Sequence, residues 1–350
     1  MSFCSNDYLG LADHPALPAA AAASAARDGF GASASRLVSG DLPAHRDLEQ
    51  ALAGFFGRQA ALVFPTGYQT NIGVLTALAG PDDVIVSDAL NHASIIDGCR
   101  LSRSRIAVYP HRDSDAAARL LNEARTARRR FLVTESLFSM DGDDAPLGQL
   151  AEAAKSHDAI LIVDEAHAVG VLGPRGRGLC AAAGVVPDVL IGTLGKALAT
   201  AGGFAAGSRV LRDLLVNRAR SFIFTTALPP PVAAAALAAL QIVDSPEGDR
   251  RRALLRAHAD RLSPQLAALR PSGFETGVCA AAGSPIQPYV VGTDADAVAL
   301  SAVLAERRIF VPAIRPPTVP VGSARLRITL SASHAPADVD RLLTALRPPA

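Results

Sequence analysis

The sequence of 350 residues predicts an α/β protein with two domains, a large one built on a mostly parallel sheet of seven strands and a smaller α+β domain at the C-terminal end. Two observations predict this class. Between about residues 60 and 207, short aliphatic runs alternate with longer helical patterns. Several of these runs, such as residues 159–163, are continuously apolar, which is typical of strands covered on both faces.

The elements follow in order along the chain. The seven strands of the large domain are expected at residues 60–64, 83–87, 105–109, 130–134, 159–164, 188–192 and 203–207. After the prolines at 229–231, Ala-rich and Arg-rich helices are expected up to about Val243 and over 249–269. The remainder predicts strands near 285–291, 309–312 and 325–330, with helices at 294–307 and after Pro336. The expected divisions are an N-terminal segment at 1–45, a large domain at 46–243 and a small domain at 244–350.

The composition argues against several classes of protein. Basic residues number 34 and acidic residues 33, so the chain lacks the positive surplus that nucleic-acid binding needs. Four scattered cysteines without a CxxC pair suggest neither disulfides nor a zinc site, and fit a reducing cytoplasm. The Ala-rich stretch at 16–26 has Pro18 inside it and no basic region before it, so it is neither a signal peptide nor a membrane span.

Lysine is nearly absent from the chain. Only Lys155 and Lys196 are lysines, and the other 32 basic residues are arginine. Biased codon usage explains the depletion, but it leaves open why arginine did not replace these two. A surface ion pair accepts arginine, whereas a nucleophilic amine does not.

Lys196 follows the strand expected at 188–192, in the run Ile191-Gly-Thr-Leu-Gly-Lys196. The run is not a phosphate-binding loop of the GxxxxGK[ST] kind, because Ala197 follows the lysine and position 190 is not glycine. A lysine at the end of a parallel strand, where burial lowers its pKa, is the kind of amine that forms Schiff bases. The alternative is an ordinary loop lysine.

A second motif lies at the end of the strand expected at 159–164. Asp164 and His167 follow its apolar residues, and both are predicted at the carboxyl edge of the sheet. A poorly solvated carboxylate needs a cationic partner, such as a protonated pyridine nitrogen. The alternatives are a capping aspartate and a core histidine.

Together these motifs occur in the order of a known family. Asn91-His-Ala-Ser94, Asp164-x-x-His167 and the Lys196 run resemble the pyridoxal-phosphate-dependent α-oxoamine synthases, which have the aminotransferase-like type I fold. The resemblance extends from Ser5-Asn-Asp-Tyr-Leu-Gly-Leu11 to residues 325–334. Segments at 31–40, 45–49, 138–143 and 313–320 are most similar to the branch that acts in biotin biosynthesis.

The resemblance implies a role for each matching residue around one cofactor, pyridoxal 5'-phosphate. Lys196 matches the lysine that forms a Schiff base with it, and Asp164 matches the partner of its pyridine nitrogen. His92 matches the histidine that stacks on the ring and donates to a developing oxyanion. The other cofactor-binding positions are Ser139 and His167 at the phenolic oxygen, Gly67, Tyr68 and Thr193 at the phosphate, and Thr225 and Thr226 at the phosphate of a neighbouring subunit. The substrate-side positions are Arg325, which grips the amino acid's carboxylate, with Asn6 and Thr318.

The implied activity is a decarboxylative condensation of L-alanine with a pimeloyl thioester, either pimeloyl-CoA or a pimeloyl carrier protein, by a cytoplasmic homodimer. One alternative is another α-oxoamine synthase that uses glycine or serine with a different acyl-CoA. Relatives carry a few tens of residues before the motif that begins at Ser5, and this chain begins at Met1. The second alternative is therefore a cofactor-binding homologue with little synthase activity.

Overall fold

Two β-sheets organise the chain in the computed structural model, which describes residues 1–269 and 279–347. The large sheet has seven strands in the order β1-β7-β6-β5-β4-β2-β3. Its strands are β1 (Ala60–Phe64), β2 (Val84–Asp88), β3 (Arg105–Tyr109), β4 (Arg130–Glu135), β5 (Ala159–Asp164), β6 (Val189–Thr193) and β7 (Gly203–Gly207). Only β7 runs antiparallel to its neighbours, so the predicted mostly parallel sheet is confirmed.

Helices cover both faces of this sheet, as the continuously apolar strands predict. The helices up to the end of the large sheet are α1 (Ala16–Asp28), α2 (Pro43–Phe55), α3 (Gly67–Leu78), α4 (Ala93–Ser102), α5 (Ser114–Glu123), α6 (Leu147–Ser156) and α7 (Leu179–Ala182). Those after it are α8 (Arg209–Arg218), α9 (Arg220–Ile223), α10 (Pro230–Val243), α11 (Pro246–Ala268), α12 (Asp294–Glu306) and α13 (Pro336–Leu346). Helices α3, α4, α8 and α9 pack on one face of the sheet, whereas α5 and α6 pack on the other.

The C-terminal part holds a small antiparallel sheet in the order β8-β10-β9, with β8 at Ile286–Gly292, β9 at Ala313–Ile314 and β10 at Ala324–Thr329. The prediction of a strand at 309–312 is wrong. Phe310 there forms a single bridge with Ser2, because the N-terminal residues take up its backbone bonds. The short strand β9 begins only after Pro312, which has no N–H to donate.

The N-terminal residues pack on the small sheet. Phe3 N donates to Phe310 O at 2.8 Å, and Phe3 O accepts from Thr329 N at 2.8 Å. Tyr8 and Leu9 are fully buried in the same core. The first residues therefore tie the small sheet to the large one, and the domain divisions at 45 and 243 stay a prediction. Among the described helices, none is long and apolar enough to cross a membrane.

Candidate active site

The carboxyl edge of the large sheet brings together several of the predicted residues. Strands β4, β5 and β6 lie side by side there, and Asp164 pairs in register with Glu135 on one side and Ile191 on the other. Parallel strands end at the same edge, so the residues that follow them converge. A cavity of about 160 Å³ opens at this edge. Its lining includes Gly67, Tyr68, His92, Asp164, His167, Thr193 and Lys196, together with Asn71 and Glu135.

Lys196 reaches this cavity from the loop after β6. Its Nζ lies 2.8 Å from His167 Nε2. Burial lowers the pKa of the amine, although the nearby carboxylates of Asp164 and Glu135 act in the opposite direction. A lysine with a lowered pKa is a better nucleophile near neutral pH, as the Schiff-base hypothesis requires.

Asp164 ends β5 and is buried. Its Oδ2 accepts a hydrogen bond from Asn71 Nδ2 at 2.7 Å, and its Oδ1 accepts from Ala166 N at 2.8 Å. These neutral donors fix the carboxylate without cancelling its charge. The charge is therefore available to a cation in the cavity.

His167 lies behind the amine of Lys196 and is buried. Burial, followed by the positive charges of Lys196 and Arg327, lowers its pKa well below the usual value. His167 is therefore a neutral imidazole at physiological pH. One of its two ring nitrogens carries a proton, and the other accepts a hydrogen bond.

His92 stands at the start of α4, on the exposed rim of the cavity. Its backbone N–H donates to Glu135 Oε1 at 2.6 Å, and its Nδ1 lies 2.8 Å from Ser94 Oγ. These contacts fix the backbone and one edge of the ring. The position suits a ring that covers a flat ligand.

The start of α3 forms a polar end of the cavity. Within the part of the chain that the structure describes, the amides of Gly67 and Tyr68 have no acceptor, as expected for the first residues of a helix. The Thr193 hydroxyl is close by, because a Cβ on Gly67 would lie 3.4 Å from its Oγ1. Gly203 permits this approach, since a side chain there would meet Gly67 N at 2.7 Å. Free amides at a helix start favour a phosphate.

The chemical groups that line the cavity match those that pyridoxal phosphate needs. It offers an amine with a lowered pKa, a buried carboxylate for a pyridinium nitrogen, a neutral histidine for a phenolic oxygen and free amides for a phosphate. These correspond to the roles expected for Lys196, Asp164, His167 and Gly67.

Ser139, Thr318 and Arg325 line a different cavity, of about 420 Å³, together with Leu90, His111, Phe138, Met140 and Val319. Arg325 is buried and forms an ion pair with Asp141 there. Its positive charge is therefore already matched inside the protein. Thr225 and Thr226 line neither cavity, and Thr226 is exposed.

Arg327 was not predicted from the sequence, and its positive charge lies close to Lys196 and His167. Its guanidinium donates to Ser139 O at 2.6 Å, to Thr329 Oγ1 at 2.9 Å and to Asn6 Oδ1 at 3.3 Å. The described residues give it no carboxylate within salt-bridge distance. It shares a face of β10 with Arg325, two residues away. The spacing of two arginines in one strand was the sequence signal that could have identified Arg327.

Three further residues were not predicted. Glu135 accepts a hydrogen bond from the backbone of His92, and Asn71 donates one to Asp164. Tyr8 shares a hydrogen bond with His167. Glu135 ends an apolar strand beside β5, which is a signal of the same kind as Asp164. Tyr8 belongs to the motif at 5–11, but nothing in that motif indicates a contact 159 residues away.

Comparisons with known proteins identify the family to which the chain belongs. The model of the family "Aminotransferase class I and II" matches residues 1–346. The 8-amino-7-oxononanoate synthase of Anaeromyxobacter dehalogenans is 55% identical, over 99% of this chain and 85% of its own. That of Marinobacter nauticus is 52% identical, over 99% and 86%.

A solved structure is also similar. It is a serine palmitoyltransferase variant from S. paucimobilis with a bound PLP–myriocin aldimine, at a TM-score of 0.93 and 31% identity, covering 99% of this chain and 86% of that one. The predicted aminotransferase-like fold and the resemblance to pyridoxal-phosphate enzymes are thereby confirmed. The chain belongs to the aminotransferase class I and II family and, within it, to the group that contains the 8-amino-7-oxononanoate synthases.

Proposed function

We propose that this protein is a pyridoxal-phosphate-dependent acyltransferase of biotin biosynthesis, which condenses L-alanine with a pimeloyl thioester to give 8-amino-7-oxononanoate, CO₂ and free thiol. The observation that carries the proposal is the cavity where Lys196, His167 and Asp164 meet at the ends of β5 and β6. The 55% identity to a synthase with this name supports the choice of reaction.

The chain's own residues hold the cofactor. Lys196 would bond its aldehyde carbon, Asp164 would pair with its pyridine nitrogen, and the amides of Gly67 and Tyr68 with the Thr193 hydroxyl would take its phosphate. His92 would cover the ring from the rim. When bound, pyridoxal phosphate supplies an electron sink that stabilises negative charge beside the amino acid's nitrogen.

Lys196 is also the base. When not bonded to the cofactor, its amine would be the group that takes the proton from the alanine Cα. Burial lowers the pKa of Lys196, so a larger share of the amine is neutral at physiological pH. His92, which is exposed at the rim of the cavity, is the group placed to donate to the oxyanion that forms on the thioester carbonyl.

Arg327 holds the alanine carboxylate. It has a buried guanidinium, lies close enough to influence Lys196 and His167, and has no carboxylate partner among the described residues. Arg325, the sequence-based choice, is occupied by Asp141. The cavity that Arg325 shares with Ser139 and Thr318 is lined by the apolar side chains of Leu90, Phe138, Met140 and Val319, which suits the hydrocarbon part of an acyl chain.

The working form is a homodimer in the cytoplasm. Thr225 and Thr226 lie outside the cavity of their own chain, as expected if they serve the partner's phosphate site. Exposed apolar side chains of Leu37, Val38 and Phe224 flank this segment, and Ala227 N donates to Ala34 O at 3.0 Å. Such a patch favours contact with a second copy.

A second candidate uses serine rather than alanine with a long acyl thioester. The similarity to a serine palmitoyltransferase favours it, although identity to that enzyme is only 31%. The two candidates differ in substrates and share all the roles above.

The experiment is release of free thiol from pimeloyl-CoA by the purified, cofactor-loaded protein. We expect release with L-alanine at least tenfold faster than with glycine or L-serine, and loss of release in Lys196→Arg. Lys155→Arg is the matched control and should keep full activity. Preference for serine with palmitoyl-CoA would establish the second candidate. No release of thiol from pimeloyl-CoA, a pimeloyl carrier protein or palmitoyl-CoA would contradict both candidates.

A further inference from the structure

Tyr8 makes a long-range contact that the roles above do not use. Its side chain is fully buried, and its hydroxyl lies 2.6 Å from His167 Nδ1. Its carbonyl oxygen accepts from Ala332 N at 2.8 Å, next to the small sheet. The residue is therefore held by one sheet while its hydroxyl reaches a histidine at the edge of the other.

The hydroxyl belongs to a continuous chain of hydrogen bonds. Lys196 Nζ lies 2.8 Å from His167 Nε2, and His167 Nδ1 contacts the Tyr8 hydroxyl. Tyr8 in turn lies 3.2 Å from Asn6 Oδ1, which also accepts from Arg327 at 3.3 Å. Each member is buried or half-buried, so water does not substitute freely for a lost partner.

This series of hydrogen bonds can place its protons in two self-consistent ways, or settings. Neutral His167 carries a single ring proton, and Tyr8 carries a single hydroxyl proton. When Lys196 is an ammonium, His167 Nε2 must accept from it. Nδ1 then carries the proton and donates to the Tyr8 oxygen, and Tyr8 donates to Asn6. When the amine is neutral, its lone pair can accept a hydrogen bond, so Nε2 is free to carry the proton and Tyr8 to donate to Nδ1 instead.

Tyr8 suits this exchange because it keeps its proton in both settings. Burial raises the pKa of its hydroxyl to about 12. A phenol both donates and accepts, so the same side chain satisfies either form of His167. Phenylalanine would fill the space and do neither.

We propose that Tyr8 is a positioning residue that lets His167 change tautomer as Lys196 gains or loses its proton. The inference rests on the proposed role of Lys196 only for its use in catalysis, and the hydrogen-bond chain exists without it. Through these hydrogen bonds both the ammonium and the neutral amine of the cofactor-free protein keep a bond to His167, so the amine can lose its proton before it acts as a nucleophile.

The proposal predicts the direction of a change. In Tyr8→Phe the setting with a proton on His167 Nδ1 buries an N–H without an acceptor, so the setting that serves the ammonium becomes less favourable. The pKa of Lys196 should therefore fall further, by about one unit or tenfold in the ratio of its two forms. The charged and titratable groups that face Lys196 are unchanged in this variant: Asp164 from β5, Glu135 from β4, Arg327 from β10, and His92 and His167.

The test is competitive labelling of the full-length protein, freed of cofactor, with trace acetic anhydride across a pH series. Lys155 in the same chain is the internal standard, since the chain has only two lysines. We expect the titration of Lys196 to shift down by about one pH unit in Tyr8→Phe. In Tyr289→Phe, which removes another largely buried hydroxyl that bonds a backbone carbonyl, it should stay in place.

Asn6→Ala is a second route to the same setting, because Tyr8 then has only His167 Nδ1 to donate to. It should lower the pKa of Lys196 in the same direction, and it carries the test if Tyr8→Phe does not fold by circular dichroism. An unchanged or raised pKa in the folded variants would overturn the proposal. Because the readout needs no cofactor, this result is separate from any failure of thiol release.

Discussion

At the scale of single residues, the two lysines of the chain are in opposite situations. Lys155 lies in the last turn of α6 and is exposed, whereas Lys196 lies at the carboxyl edge of the sheet against His167. Arginine could replace the first but cannot form the Schiff base expected of the second, since its guanidinium stays protonated. The rarity of lysine therefore pointed to the sheet edge where the candidate site lies.

Arg327 gives a prediction at this scale. Lysine keeps the positive charge but cannot make the bidentate contact of a guanidinium with a carboxylate. We expect Arg327→Lys to raise KM for alanine about tenfold or more, because a charged hydrogen bond is worth about 1.5–3 kcal/mol. Steady-state rates at varied alanine concentration measure this.

The matched control is Arg325→Lys, on the same face of β10. Because Arg325 is paired with Asp141, the KM of the Arg325→Lys variant for alanine should change less than about threefold, provided that the variant remains folded. If instead Arg325→Lys raised the KM and Arg327→Lys did not, the original sequence-based assignment would be correct.

What the sequence could predict here follows from locality. Asp164, His167 and Lys196 each follow an apolar strand, so their place at the sheet edge is visible in the pattern. Tyr8 and Asn6 lie in an irregular segment, and their partners are fixed by packing between distant parts of the chain. The choice between Arg325 and Arg327 depends on which one finds Asp141, which no local pattern reveals.

At the scale of elements, the loop that carries Ser139 is held by a charged cluster. His111, just after β3, places Nδ1 at 2.9 Å from Asp88 Oδ1 at the end of β2. Its Nε2 lies 3.0 Å from Asp143 Oδ2, in the loop after β4. The imidazole thus connects the sheet to the wall of the second cavity.

This cluster predicts a pH dependence of stability. Burial alone would lower the pKa of His111, but its bonds to Asp143 and Asp88 outweigh burial and raise the pKa to about 9. A raised pKa in the folded state contributes stability that is complete below the usual 6.5 and is lost as the pH rises through about 9. At about 1.4 kcal/mol per pKa unit, a rise from 6.5 to about 9 contributes about 3.5 kcal/mol at most.

Denaturant unfolding of the protein and of His111→Gln at pH 6, 8 and 10 measures this contribution. The difference in free energy of unfolding should be largest at pH 6 and should shrink at each step. His157→Gln is the control, because among the described residues the His157 ring bonds only a carbonyl of the helix before it. A difference for His111→Gln that did not change with pH would show that its protonation does not matter.

Most elements were predictable because their signals are local. The strands of the large sheet fall within one residue of their expected places, since each is an apolar run bounded by turn residues. The strand expected at 309–312 failed for a non-local reason: the N-terminal residues bond this segment and leave β9 to form later. Periodicity does not show which distant segment will compete for a backbone.

At the scale of the whole molecule, the N-terminal segment and the small sheet close over the edge of the large sheet. The N-terminal segment contributes Asn6 and Tyr8, and the small sheet contributes Arg327. The edge of the large sheet contributes His167 and Lys196. The candidate site therefore needs all three parts in place. Their convergence on one amine is the central claim, and the rarity of lysine makes that amine easy to identify.

The most direct measurement is to mix the purified protein with pyridoxal phosphate, reduce it with borohydride and map the modified lysine by peptide mass spectrometry. Reduction converts a Schiff base into a stable bond, so the label stays on the residue that formed it. We predict about one phosphopyridoxyl group per chain, on Lys196, with Lys155 unmodified. A label on Lys155, or no label on either lysine, would contradict the account.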